Sequence, residues 1–224
     1  MRAIDEQDGF VSQLGPMHAS ALREMAVTRH FQVGTALFHE GGRGDRTFVI
    51  EGGIVKLSRV SEQGREVVLA LRGAGQLLGE LSAVDGGYRS ATALALQCTT
   101  ALSIPTAEFR AYLVAHGDVA MIVAEALAVR LRETDDRRVE TADLGALGRV
   151  ARGLAELAAR YGTTSENGTA IDRLMSQDEL AGFIGASRES VSKALRQLQS
   201  VGLISVQRRG ATIPDLEALR RVSA

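Results

Sequence analysis

Six residues in the first half of the chain combine groups that bind an anion with groups that bind a hydroxyl. They read Gly79-Glu80-Leu81-Ser82 and, after a short gap, Arg89-Ser90. Gly79 allows close approach of the backbone, and amides that open a short helix face an anion. Glu80 can accept a hydrogen bond, Arg89 can pair with a phosphate, and Ser90 adds a donor. The set can bind an anion; the alternative is a structural Glu80–Arg89 salt bridge in a domain that lost its ligand.

A second group of residues, near the C-terminus, has the spacing of a DNA-binding helix-turn-helix. Ser176-Gln177-Asp178-Glu179 fits a capping box that opens a helix, and Gly185-Ala186 fits a tight turn. Ser187 fits the N-cap of a second helix that ends near Gly202. Apolar residues at helical spacing can hold the two helices together: Leu180, Ile184, Val191, Leu195 and Leu198.

The exposed face of the second helix carries side chains that can read base pairs. An arginine pairs bidentately with guanine, a glutamate accepts from cytosine, and a lysine reaches a guanine or a phosphate. Leu203–Gln207 and Ala211–Ile213 predict a hairpin with a basic tip, which completes a winged helix. Between Arg188 and Arg209 there are five basic residues and one acidic residue, a local net charge of +4. The predicted DNA contacts are Ser176, Gln177, Ser187, Arg188, Glu189, Ser190, Ser192, Lys193, Arg196, Arg208 and Arg209.

The ligand-binding residues lie in a segment that predicts a small β-roll. Twelve of the 24 glycines lie between Gly34 and Gly87, where they separate short runs rich in β-branched and aromatic residues. The predicted strands are Ala36–Phe38, Thr47–Glu51, Ile54–Val60, Glu66–Arg72, Ser90–Ala95 and Thr99–Ile104. Helices are predicted on either side, over Met17–Met25 and from an N-cap at Thr106 through Val114.

A long helix is predicted from Asp118 to about Thr141, with two apolar stripes. One stripe holds Val119, Ile122, Ala126 and Val129, and the adjoining one holds Val123, Leu127 and Leu131. We expect one stripe to cover the roll and the other to meet the same helix of a second subunit in a coiled-coil-like seam. The alternative is a single buried core helix.

The pattern predicts an α+β chain with three parts: residues 1–117, a dimerisation helix at 118–142, and a DNA-binding domain at 143–224. In the last part, Leu147–Tyr161, Ser176–Ile184 and Ser187–Val201 are predicted helices, and Gly162–Ala170 is predicted to be an exposed loop. Residues 1–142 carry 15 basic and 18 acidic residues, whereas residues 143–224 carry 11 and 9. The total net charge of −1 therefore hides a basic C-terminal part.

Composition narrows the function classes. The single cysteine, Cys98, predicts neither an internal disulfide nor a cysteine-ligated metal or iron-sulfur site. Acidic residues near the start predict no secretory signal, and the most apolar helical stretch is too short and too charged for a membrane span. These features predict a cytoplasmic protein that does not span a membrane.

Several motifs together resemble the cyclic-AMP receptor protein and FNR superfamily (Crp/Fnr) of bacterial transcription regulators. Phe38-His39-Glu40-Gly41 with Gly44-Asp45, and the run from Phe48 to Lys56, resemble the β-roll turns of its cyclic-nucleotide-binding domain. Ser187-Arg188-Glu189-Ser190-Val191 resembles the family's recognition-helix motif. The resemblance covers nearly the whole chain and implies a jelly-roll ligand domain, a long dimerisation helix and a winged helix-turn-helix.

The resemblance also implies the effector. Gly79-Glu80-Leu81-Ser82 with Arg89-Ser90 looks like the family's phosphate-binding cassette, in which Glu80 would accept from a ribose hydroxyl and Arg89 would pair with the cyclic phosphate. Thr134 matches a residue that meets adenine in cyclic-AMP-binding members, but its neighbour here is Asp135. A carboxylate accepts either from the exocyclic amine of adenine or from the paired donors of guanine. Cyclic AMP is therefore the first expectation, and cyclic GMP is the alternative.

The remaining expectations concern partners and competing functions. The resemblance implies a non-enzymatic homodimer on a GTGA-like palindrome in double-stranded DNA, with Gly162–Gly168 where relatives can contact RNA polymerase. A second hypothesis keeps the fold but makes the protein ligand-independent or responsive to another effector. A third is a cupin-like metalloenzyme, which needs converging histidines, whereas His18, His30, His39 and His116 are scattered.

Overall fold

Two four-stranded antiparallel sheets form a β-roll in the first half of the chain. Their strand orders are β1-β8-β3-β6 and β2-β7-β4-β5. The strands are β1 (Val27–Phe31), β2 (Ala36–Phe38), β3 (Arg46–Gly52), β4 (Val55–Val60), β5 (Glu66–Arg72), β6 (Leu77–Leu78), β7 (Thr92–Ala95) and β8 (Thr99–Pro105). The predicted roll and its six strands are confirmed, with shifts of one or two residues at their ends. β1 and β6 were not predicted, because β1 is mostly exposed and polar and β6 has only two residues.

The computed structural model describes residues 9–172, 175–207 and 210–222. The chain divides into two units. Within the described residues, 9–59 together with Leu69–Glu133 form the first unit, and Val60–Val68 together with the chain from Thr134 onward form the second. The interior of the roll is lined by Phe48, Ile50, Val55, Leu78, Ala93 and Ala101.

Five helices accompany the roll. They are α1 (Phe10–Gln13), α2 (Pro16–Glu24), α3 (Glu80–Asp85), α4 (Thr106–Ala115) and α5 (Gly117–Asp143). Thr106 was predicted to be the N-cap of α4, which is wrong: Pro105 occupies the N-cap and Thr106 is the first helical residue. The Thr106 hydroxyl instead lies 3.3 Å from the Thr47 hydroxyl, which links the start of α4 to β3.

Helix α5 uses a different core-facing stripe from the two that were predicted. Val119 and Val123 are buried, and Ile122 and Leu127 pack against the same core, so both predicted stripes begin in the interior. These four residues follow the i, i+3, i+4, i+8 spacing of one helix face. Val129 and Leu131 are exposed. A separate outward face begins at the exposed Met121.

The C-terminal part of the chain is a helical domain with a four-stranded antiparallel sheet of order β11-β12-β10-β9. Its elements are α6 (Ala146–Tyr161), β9 (Thr163–Ser165), β10 (Gly168–Asp172), α7 (Gln177–Ile184), α8 (Arg188–Ser200), β11 (Ser205–Gln207), β12 (Gly210–Ile213) and α9 (Leu216–Arg221). Helix α6 packs against α8 and α9. The predicted winged helix-turn-helix fold is confirmed.

The prediction of an exposed loop over Gly162–Ala170 is wrong. Thr163–Ser165 and Gly168–Asp172 form a hairpin, with Thr164 paired to Thr169. The second strand of this hairpin also pairs with β12, where Ala170 faces Thr212. Hydrogen bonds to β12 stabilise β10 as a strand. A polar, glycine-containing segment has no hydrophobic pattern of its own that would predict this pairing.

The described residues contain no single helix that is long and apolar enough to cross a membrane. Thr106–Ala115 and Gly117–Val139 taken together are long and apolar enough for a membrane span, but the chain bends by 113° between these two helices.

Candidate ligand-binding and DNA-binding sites

The backbone at Gly79 shapes the start of the predicted ligand cassette. Gly79 is the N-cap of α3 and has φ +77° and ψ +14°, the left-handed conformation that favours glycine. A Cβ at this position would collide with the Arg89 guanidinium. Gly79 is therefore required twice, once for its dihedral angles and once for the space that Arg89 fills.

Arg89 lies in the interior of the cassette, with only 3% of its surface exposed. Its Nη1 donates to the Gly79 carbonyl at 3.0 Å and lies 3.5 Å from the Ser82 hydroxyl. Its Nη2 donates to the Arg46 carbonyl. The guanidinium also lies over the Phe38 ring, 4.4 Å from the centroid.

The Arg89 guanidinium is held by neutral acceptors. Its buried Nε has no hydrogen-bond partner among the described residues. Burial lowers the pKa of Arg89, and the nearby carboxylates of Asp45 and Glu80 oppose that shift. A buried cation with an unpaired donor can bind an anion such as a phosphate.

Glu80 forms an ion pair with Arg130, a residue that sequence reasoning missed. Arg130 Nη1 lies 2.5 Å from Glu80 Oε1, and Arg130 Nη2 donates to the Leu77 carbonyl at 2.7 Å. The alternative of a Glu80–Arg89 salt bridge is wrong, because Glu80 pairs with Arg130 and Arg89 with backbone carbonyls. Nothing in the local sequence marks Arg130, which comes 50 residues after Glu80 within a charged part of the long helix.

The other predicted ligand residues differ in exposure. Ser82 is buried beside Arg89, whereas Leu81 and Ser90 are exposed at the cassette surface. Thr134 and Asp135 are exposed on α5, where Asp135 lies 3.8 Å from the Arg138 guanidinium. Ligand contact by each of these residues stays a prediction.

Both helices of the helix-turn-helix begin at the predicted caps. The Ser176 hydroxyl accepts from the Glu179 amide at 3.2 Å, and the Glu179 carboxylate accepts from the Ser176 amide at 2.8 Å. Ser187 accepts from the Ser190 amide at 3.1 Å. The hydroxyls of Ser176 and Ser187 therefore cap their helices in addition to being predicted DNA contacts, and the Ser187 hydroxyl also donates to the Ser190 hydroxyl at 2.9 Å.

Helix α8 separates a buried face from a polar one. Val191, Ala194 and Leu198 are buried. The exposed positions include Arg188, Glu189, Lys193 and Arg196, and Ser190 and Ser192 are half-buried. Arg188 and Glu189 lie in the first turn of α8, the end of a recognition helix that contacts base edges.

Two contacts connect the first turn of α7 to this polar face, and sequence reasoning missed both. Asp178 Oδ2 lies 3.3 Å from Arg188 Nη1. The Ser192 hydroxyl donates to Gln177 Oε1 at 2.9 Å. Gln177 and Ser192 were predicted to contact DNA, and here each is the other's hydrogen-bond partner.

The wing is formed by β11 and β12, which pair with Val206 opposite Ala211. The predicted phosphate contacts Arg208 and Arg209 lie outside the described residues. In the parts of the chain that the structure describes, no group of three or more His, Cys, Asp or Glu side chains is placed to hold a metal ion.

Comparisons with known proteins agree with this architecture. Residues 28–116 match the family of cyclic nucleotide-binding domains, and residues 148–222 match the family of Crp-like helix-turn-helix domains. The chain is 32% identical over 221 residues to the CRP-like cAMP-activated global transcriptional regulator of Mycobacterium tuberculosis, with 99% of each chain covered.

Two further proteins extend the comparison. The chain is 34% identical over 176 residues to the cyclic AMP receptor protein of Thermus thermophilus, covering 79% of this chain and 78% of that one. The solved structure of the c-di-GMP-responsive global regulator CLP from Xanthomonas campestris has a TM-score of 0.79. That match has 22% identity and covers 90% of this chain and 100% of the other, so it concerns the fold.

Proposed function

The chain belongs to the Crp/Fnr family of transcription regulators, and from this premise we propose that it is a homodimer whose binding to specific DNA is controlled by a cyclic nucleotide. The main observation that supports a cyclic-nucleotide effector is the buried guanidinium of Arg89, whose Nε is unpaired and which lies next to the left-handed Gly79. A cyclic phosphate would supply the missing acceptor. As a DNA-binding regulator, the protein would act in the cytoplasm.

Cyclic AMP is the proposed effector, and cyclic GMP is the second candidate. The names of the two relatives at 32% and 34% identity both include cyclic AMP, which supports the first. Asp135 supports the second, because a carboxylate can accept from two neighbouring donors of guanine. In either case Glu80 would accept from the ribose hydroxyl while Arg130 holds the carboxylate in place.

Control would operate as a population shift between a DNA-binding and a non-binding conformation. Arg130 already ties the cassette residue Glu80 to α5, and Thr134 follows Arg130 by four residues on this helix. A ligand that contacts Glu80, Arg89 and Thr134 would stabilise one position of α5 relative to the cassette. Two-fold symmetry would then set the spacing of two recognition helices to about one turn of DNA, roughly 34 Å.

The proposed DNA site is a GTGA-like palindrome, read mainly by Arg188 and Glu189. Both side chains are exposed in the first turn of α8, where bidentate pairing with guanine and acceptance from cytosine are available to them. Lys193 stands where relatives often carry arginine, so the GTGA-like half-site is proposed without the base that faces Lys193. The segment Gly162–Gly168 is the proposed contact for RNA polymerase.

Isothermal titration calorimetry with each nucleotide tests the effector. We expect heat from at least one of cyclic AMP and cyclic GMP, and Arg89→Leu should abolish it because the phosphate loses the buried guanidinium that would pair with it. Arg29→Leu, on the exposed strand β1, is the matched control and should bind as the wild type does. No heat from either nucleotide would favour a ligand-independent regulator or another effector.

A further inference from the structure

We propose that Asp178 is a positioning residue that sharpens DNA sequence discrimination by holding Arg188. This inference rests on the proposed role of α8 as the recognition helix. The two side chains come from different helices: Asp178 lies in the first turn of α7 and Arg188 in the first turn of α8. Their charged atoms are 3.3 Å apart, and each side chain is about two-thirds exposed, 67% and 66% respectively.

The Asp178–Arg188 pair lies at the end of α8 that is proposed to face DNA. Arg188 is exposed where α8 would enter the major groove, so the Asp178 carboxylate would meet the same polyanion. An arginine without a local partner pairs readily with phosphates, which carry no sequence information. A carboxylate beside it offsets part of its charge and competes with phosphate for the guanidinium.

A guanine edge changes this competition. It offers two acceptors that match the arginine fork, and bidentate pairing with guanine is the commonest specific contact. An exposed ion pair is weak by comparison, so guanine can replace Asp178 as the partner of Arg188 or bind the guanidinium beside it. A single phosphate oxygen makes fewer hydrogen bonds to Arg188 than guanine does, so it displaces Asp178 less readily. The Asp178–Arg188 pair should therefore weaken binding to wrong sequences more than binding to the right one.

The neighbouring contact between Gln177 and Ser192 supports the geometry. The Ser192 hydroxyl donates to Gln177 at 2.9 Å, one turn further along α8 from Arg188. Two successive positions of α7 thus contact two successive turns of the recognition face. This arrangement fixes the first turn of α7 next to Arg188, so the ion pair lies within a defined interface between the helices.

The test measures the DNA sequence preference of the whole protein at a saturating concentration of cyclic AMP or cyclic GMP, whichever gives heat in the calorimetric titration. A preferred site is first selected by the wild type from a randomised duplex, and the base position that Arg188→Ala relaxes defines the base read by Arg188. Binding to duplexes with the right and the wrong base there is then measured by fluorescence anisotropy. In Asp178→Asn the ratio of the two dissociation constants should fall by about two- to fivefold, mainly through tighter binding of the wrong duplex.

Three variants separate positioning from bulk charge. Glu217→Gln removes an equally exposed carboxylate, which pairs with Arg220 on α9, and should leave the ratio unchanged. Asp178→Glu keeps the carboxylate and should restore most of the discrimination. In an Arg188→Ala background, Asp178→Asn should no longer change the ratio. Thermal unfolding of each variant confirms that it is folded at the assay temperature.

The outcomes distinguish this proposal from the proposed function. An equal change in both dissociation constants for Asp178→Asn, or the same change in ratio without Arg188, would overturn the role of Asp178 alone. If Arg188→Ala relaxes no base position, the assignment of α8 as the reading helix fails, and the role of Asp178 fails with it.

Discussion

At the scale of single residues, two arginines make contacts of different kinds in and next to the ligand cassette. Arg89 is held by backbone carbonyls and an aromatic ring, which leaves its positive charge available to an anion. Arg130 is held by a carboxylate, which largely neutralises it. The first arginine is therefore suited to bind a ligand, and the second is suited to position Glu80.

Removing Arg130 should destabilise the first unit. The Glu80 side chain is only 8% exposed and that of Arg130 is 20% exposed, so Arg130→Met would leave a buried carboxylate without its partner. We expect the free energy of unfolding to fall by about 3 kcal/mol, measured by urea denaturation. Arg132→Met, an exposed arginine on the same helix, is the matched control and should change stability by less than about 0.5 kcal/mol.

The double variant Glu80→Gln/Arg130→Met tests the cause of that loss. Because it removes the buried charge as well as its partner, it should be more stable than Arg130→Met alone. A double variant as unstable as the sum of the two single variants would show that the two side chains act independently.

The same residues show what the sequence can predict at this scale. Glu80 and Arg89 lie nine residues apart in a motif, and a carboxylate and a guanidinium predict a hydrogen-bond acceptor and an anion-binding group. Arg130 and Asp178 act through contacts to residues that are distant in sequence or on another helix, and their exposed, charged neighbours make them look like ordinary surface residues. Only the three-dimensional structure distinguishes them.

At the scale of elements, three helices meet at a hydrogen-bonded junction next to the start of α5. His18 of α2 is buried, with Nε2 2.9 Å from Asp118 Oδ2 and Nδ1 2.7 Å from the Tyr112 hydroxyl. A carboxylate can only accept, so Nε2 donates to Asp118, and in a neutral imidazole Nδ1 accepts from Tyr112. The His116 ring contacts both aromatic side chains. This junction fixes the first turn of α5 to α2 and α4.

The junction should make stability depend on pH at the acid side. The backbone amide of Val119 is the largest cause that lowers the pKa of Asp118, and the bond from His18 adds to it, while partial desolvation acts in the opposite direction. A lowered carboxyl pKa gives stability that is present above the unfolded value of about 3.9 and is lost as the pH falls through the folded pKa. Asp118→Asn should therefore flatten the loss of stability below about pH 4, seen in urea midpoints from pH 3 to pH 7.

The matched control for this prediction is Glu125→Gln, which removes an exposed carboxylate from the same helix. It should keep the acid-side slope of the wild type. A slope in Asp118→Asn equal to that of the wild type would mean that other carboxylates account for the acid sensitivity.

Elements with local signals were predicted well, and those that depend on distant partners were not. The caps at Ser176 and Ser187 follow from short-range hydrogen bonds, so the starts of α7 and α8 could be predicted to within one residue. The β9–β10 hairpin pairs with β12, 38 to 44 residues further along the chain, and the polar sequence of Thr163–Ser165 gives no indication of that partner. The core-facing stripe of α5 likewise depends on where the roll ends beneath the helix.

At the scale of the whole molecule, the proposed homodimer depends on a face of α5 that is exposed in the single chain. Met121 and Leu131 are 60% and 63% exposed, and Ala124 and Ala128 lie between them on α5. The successive spacings of three, four and three residues are those of a coiled-coil seam. This stripe is distinct from the core-facing Val119 and Val123, so α5 can pack on the roll and on a second copy at the same time.

A charge in this stripe should break the dimer. In Leu131→Glu, two carboxylates would face each other across the seam without partners, which opposes association. Analytical ultracentrifugation should give the 23.8 kDa mass of one chain for this variant and twice that mass for the wild type. Val33→Glu introduces the same charge at a position of matching exposure, 62%, in the first unit and should remain a dimer.

The DNA-binding consequence separates dimerisation from folding. Two linked reading helices gain from effective concentration when they bind both halves of a palindrome, whereas each one alone binds a half-site independently. Leu131→Glu should therefore lose most of the preference for a full palindrome over a single half-site, while its affinity for the half-site stays near that of the wild type. If Leu131→Glu stays dimeric, or keeps the wild-type preference as a monomer, the outward stripe of α5 does not hold the two DNA-reading domains together.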